Sequence, residues 1–163
     1  MEDLSRLDEG ELCERMMRSA GPIPPCGAAV RLVFLTPAQR VWLMNHGLVR
    51  ADMVDGRRVA MVSFADAFEL FKDFYGRSML QEKEGIGDSE VSVLWIAASL
   101  WGVDVGTHRH VMTGLEKIHA GLAAEAMMYA AGFMDNSADP ESGEVDGYAT
   151  GPLAMAHEER WDW

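Results

Sequence analysis

The chain has 163 residues, 48% of them apolar and 25% charged, so it is long enough for one domain with a real core and is not disordered as a whole. Its 26 acids against 14 Lys and Arg leave a net charge of -12. That argues against a general polyanion binder, because affinity for nucleic acid comes mainly from cations that neutralise phosphates.

No run of about 18 apolar residues reads as a membrane span. The N-terminus MEDLSRLDEGELCERMM lacks the apolar run of a signal peptide. Two cysteines, Cys13 and Cys26, make no disulfide framework, so the expectation is a cytoplasmic protein with free thiols. The charge is uneven. Residues 27–83 carry eight bases and six acids, whereas residues 84–163 carry three bases and fourteen acids. The middle of the chain is therefore the one phosphate-facing candidate, and the last half would repel phosphate.

In chain order, a first helix is expected over residues 5–20, with Leu7, Leu12, Cys13, Met16 and Met17 on one side and Gly21 closing it. Pro22, Pro24 and Pro25 then read as extended chain, and AVRLVFL (29–35) as an apolar, β-branched strand. Thr36-Pro37-Ala38-Gln39 signals a helix start, with Thr36 as N-cap, Pro37 at the first helical position and Gln39 completing a capping box. That helix runs to His46, and Gly47 ends it. Strands at 48–54 and 57–62 follow, joined by Asp55-Gly56, which favours the type I′ hairpin turn.

SFADAFELFKDFY spaces its aromatic residues as a helix does. A short helix at 78–84 leads to the turn GIGD, with Asp88 as cap, and then to the apolar helix EVSVLWIAASLW. From Thr107 to about Met134, Val111, Leu115, Ile118, Leu122, Ala126, Tyr129 and Phe133 keep three- and four-residue steps, which predicts one helix of seven turns. Residues 135–151 read as an acidic loop, and PLAMAHEERWDW as a possible short terminal helix. The expected fold is α+β, with a small three-stranded antiparallel sheet in the N-terminal half and helices in the C-terminal half. The parts are residues 1–76, 77–134 and an acidic tail at 135–163.

Two segments resemble helix-turn-helix regulators. LTPAQ with GLVRADMVDGRRVAMVSFADAF resembles the winged-helix domain of MarR-type regulators, in which two further helices lie between these pieces; here WLMNH stands there. Excisionase-like and MerR-type proteins pass from recognition helix straight into the wing, as this spacing does, but carry a supporting helix just before. The resemblance implies DNA contact through Gln39, Arg40, Arg50, Arg57 and Arg58. SMLQEKEGIGDSEVSVLW resembles a second helix-turn-helix with Gly85 at the turn. Its second helix offers Glu90 and no Lys or Arg with which to read bases.

Other chemistry is sparse. His108 and His119 share a helix face but stand about 16 Å apart, and His110 points elsewhere, so no metal site is expected. Asp135 to Asp146 places oxygen donors in a calcium-loop register. Pro140 sits where Gly is needed and Asp146 where a bidentate Glu is needed, so a solvated loop is expected. The chain has no G-x-S-x-G, P-loop, C-x-x-C or H-E-x-x-H, so neither enzymatic activity nor a cofactor is expected.

The leading expectation is a non-enzymatic, acidic protein-binding module that inhibits or modulates a basic, nucleic-acid-handling partner. By analogy it sits with phage or mobile-element inhibitors, nucleic-acid mimics and antitoxins. Asp135, Asp139, Glu141, Glu144 and Asp146 would supply the charge. Trp161 and Trp163 would act as anchors, and Met127 and Met128 as an adaptable contact surface or a homodimer face on the 107–134 helix. The alternatives are a DNA-binding regulator or accessory factor using residues 36–62, and a structural or assembly component.

Overall fold

The computed structural model describes residues 4–72, 85–106, 111 and 113–131. After a short 3-10 turn at Leu4–Arg6 come α1 (Glu9–Ala20), α2 (Pro24–Phe34), α3 (Pro37–Asn45), β1 (Val49–Val54), β2 (Arg57–Val62), α4 (Phe64–Phe71), α5 (Asp88–Trp101) and α6 (Lys117–Ala130). Among the described residues the fold is thus mixed α and β, with six α-helices and one two-stranded antiparallel sheet. None of the described helices is long and apolar enough to cross a membrane.

Helix α1 starts where Asp8 Oδ1 accepts the Glu11 N–H at 2.8 Å and ends at Gly21, whose φ of 59° is left-handed. The stretch expected to be extended chain and then a strand is instead α2. Pro24 and Pro25 occupy its first turn, where their missing N–H groups cost nothing. Gly27 to Val30 and Leu32 to Phe34 are all buried. A short apolar run looks the same from sequence whether it is a buried strand or a helix buried on nearly every side. Here α1, α3, α5 and α6 all pack against α2, so its apolar circumference has helices to face.

Thr36 is the N-cap of α3, but its side chain turns back and donates to Leu32 O at 3.0 Å. The expected capping box with Gln39 does not form. The hairpin does form. Val49 pairs with Val62 and Val54 with Arg57, and Asp55 (φ 50°) and Gly56 (φ 74°) supply the two positive φ values of the turn. Strand β2 lies next to α1.

Helix α5 begins after Gly87, whose N–H donates to Glu90 Oε2 at 3.1 Å, so the cap is one residue earlier than the expected Asp88. Gly102, at φ 99°, closes it. The long C-terminal helix is corrected too. Glu116 is extended (φ -68°, ψ 159°), and α6 begins only at Lys117. One contiguous core runs from Leu4 to Ala126 and includes Met16, Val30, Leu43, Phe64, Leu94 and Leu122. The expected helix at 78–84 lies outside the described residues.

Candidate functional site

Helix α3 and the hairpin carry the residues that the helix-turn-helix resemblance singles out, and the fold divides them. Gln39 is 0% exposed; its Nε2 donates to Glu90 O at 2.5 Å and so ties α3 to α5. Its Oε1 is buried with no hydrogen-bond partner. Arg40 is buried as well. It pairs with Glu9 at 2.5 Å, donates to Phe34 O at 3.3 Å and lays its guanidinium 4.6 Å from the Phe34 ring centre.

Neither residue is therefore placed to touch a duplex, and what α3 shows to solvent is Pro37, Val41 and Asn45, with Val41 53% exposed. Arg50, Arg57 and Arg58 are exposed on the hairpin, beside the exposed Met53, Val54 and Met61. Arg50 Nε donates to Gly47 O at 3.2 Å. With Asp52 and Asp55 exposed as well, the ribbon is a surface of both charges and apolar side chains.

At the junction of α5 and α6 the structure assembles a group that no motif announced. Ser89 and His119, both buried, meet with Oγ and Nδ1 2.6 Å apart, and Ser89 Oγ accepts the Glu116 N–H at 2.9 Å. A serine hydroxyl has one hydrogen and two lone pairs, so it can hold both contacts at once, and the direction of the Oγ–Nδ1 bond follows the imidazole tautomer. The contact satisfies the N–H at the start of α6 and fixes the break in the expected long helix. Thirty residues separate the two side chains, so no local pattern could have paired them. His108 and His110 lie outside the described residues. Among those described, no group of three or more His, Cys, Asp or Glu is placed to hold a metal ion.

Helix α6 has its polarity reversed relative to a surface helix. His119 and Glu125 are buried, whereas Met127 and Met128 are 41% and 40% exposed. On its flank, Tyr129 closes an apolar groove of about 250 Å³ with Met17, Gly21, Pro22, Ile23, Pro24 and Gly27. A Cβ on Gly27 would stand 3.4 Å from the Tyr129 ring, so glycine lets the ring lie close to α2. Arg31 places its guanidinium 4.3 Å from the Tyr129 ring centre. Cys13, half-buried in α1, has its thiol pKa pushed up by burial, against the opposing pull of Arg31 and Arg40.

The acidic residues Asp135, Asp139, Glu141, Glu144 and Asp146, the calcium-like register they belong to, and Trp161 and Trp163 all lie outside the described residues. Compared with protein-family models, curated proteins and solved structures, the chain matches none of them.

Proposed function

We propose that this chain is a non-enzymatic protein-binding module of the reducing cytoplasm that docks, through its acidic C-terminal part, on a basic surface built to hold nucleic acid. The observation that carries the reading is the interior placement of Gln39 and Arg40. The helix that would read bases presents Pro37, Val41 and Asn45 outward, a face with one side chain able to read a base edge and no cation for phosphates. What remains is a strong excess of carboxylates, concentrated after residue 84, and such a field steers the molecule towards cations. Two free cysteines fit a reducing compartment.

The test is affinity capture from the source cells, with the full chain and residues 1–134 as baits. The full chain should retain nucleic-acid-binding proteins that are released by salt and by excess duplex DNA, and the shorter bait should lose them. Capture by the shorter bait that ignores salt would overturn the reading.

A second reading, a DNA-binding regulator or accessory factor, is favoured by one observation. Helix α2 stands immediately before α3 and the hairpin, which is the supporting helix that a recognition-helix-plus-wing arrangement requires. Arg50, Arg57 and Arg58 would then carry the phosphate contacts. A specific duplex complex in a low-salt gel shift, abolished by Arg57→Ala with Arg58→Ala, would favour it over the first reading.

A further inference from the structure

Helix α6 carries an outward face that is short of polar groups and, in one orientation, complementary to itself. Lys117, Ala120, Gly121, Ala124, Met127 and Met128 share one side of the helix, and each is exposed or half-exposed. Among the described residues this face holds a single charge, Lys117 at its first turn. Two of the helix's other ionisable side chains, His119 and Glu125, are buried, and the third, Tyr129, is half-buried against α2. A solvated helix normally has the opposite arrangement.

The face is also graded, with small residues at the N-terminal end and the two methionines at the C-terminal end. We infer that α6 pairs with α6 of a second copy of this chain, antiparallel, about a two-fold axis passing near Ala124.

That register sets Ala120 against Met128 of the second copy and Gly121 against its Met127, so each bulky, adaptable side chain meets a small one. Parallel pairing would instead oppose methionine to methionine and leave the small residues facing a gap. The antiparallel register also brings Lys117 to the C-terminal end of the opposing helix, near Ala131, where the carbonyl dipoles are negative. Beside the seam, the groove at Tyr129 and the exposed Ile23 continue the apolar surface. A 14-residue helix is about 21 Å long, so the seam is small against the roughly 800 Å² per partner of a standard interface, and the association is that of a weak dimer.

The experiment is light scattering on the full chain across micromolar concentrations, with circular dichroism of each variant. The wild-type chain should reach about twice its 18.0 kDa. Ala120→Glu places a carboxylate against Met128 of the second copy and should return the mass to a single chain with unchanged helicity. Adding Met128→Lys to Ala120→Glu should restore the dimer, because those positions face each other only in the antiparallel register. A wild-type monomer, a dimer indifferent to Ala120→Glu, or a double variant that stays monomeric would each overturn the inference. So would loss of helicity in Ala120→Glu, which would place this face inside the chain's own fold.

Discussion

Gln39 shows how a single burial separates two meanings of one residue. A glutamine on a base-reading helix would be exposed and would matter to binding; this one is enclosed and ties α3 to α5 through Glu90 O. Gln39→Ala should therefore cost about 2–3 kcal/mol of stability, from a cavity and a lost buried hydrogen bond. Urea unfolding measures it, and a stability unchanged by the substitution would count against the placement. Cys13 gives a second test at this scale. Because burial raises its pKa, the thiol keeps its proton to higher pH than a free cysteine, and iodoacetamide should label it more slowly than glutathione at pH 8. The linkage runs the same way. The folded state holds the proton more tightly than the unfolded one, so this contribution to stability is complete below the ordinary thiol range and is lost as pH rises through the raised pKa.

At the scale of elements, what the sequence reveals depends on whether the deciding contacts are local. The hairpin is legible because Asp55-Gly56 carries its own backbone requirement, met by φ values of 50° and 74°. Gly56→Ala should cost about 1–2 kcal/mol through the left-handed penalty, while Asp55→Asn should leave the melting temperature nearly unchanged, since asparagine suits that position equally well. The end of α1 is legible for the same reason, at Gly21, whereas its start is not: the expected helix from residue 5 begins only at Glu9, after the Asp8 cap. Helix α2 is not legible. Its Val30, Leu32, Val33 and Phe34 favour a strand locally, and only the four helices around it make a helix the better solution. The break before α6 is hidden as well, because a serine 27 residues earlier takes the Glu116 N–H. Ser89→Ala should remove that acceptor and leave His119 Nδ1 without the hydroxyl it meets, at about 1–3 kcal/mol. Of the candidate interaction residues, Met127 and Met128 could be read from the sequence as apolar, but their outward direction follows from the packing of α6, which turns His119 and Glu125 inward.

For the whole molecule, the deciding quantity is the imbalance of 26 acids over 14 bases. Residues 4–72 are nearly neutral, and their ion pairs include three within one helix turn, Arg15 with Glu11, Arg18 with Glu14 and Lys72 with Glu69, and one between α3 and α1, Arg40 with Glu9. Each has an exposed carboxylate partner, so each contributes at most about 1 kcal/mol and is screened by salt. Most of the excess lies elsewhere in the chain: residues 135–163 alone hold eight acids and one base. Two effects of salt therefore compete, loss of weak local attractions and relief of long-range repulsion. Repulsion among so many like charges acts over a Debye length of about 30 Å at 0.01 M and about 8 Å at 0.15 M. Relief should win, and the thermal midpoint of the full chain should rise as salt increases across that range. Residues 1–134, freed of more than half the charge excess, should show a much smaller rise. Calorimetry of the two chains in parallel reads both slopes. A midpoint that falls with salt in the full chain would mean that the local pairs outweigh the net field, and the electrostatic basis of the proposed docking would fall with it.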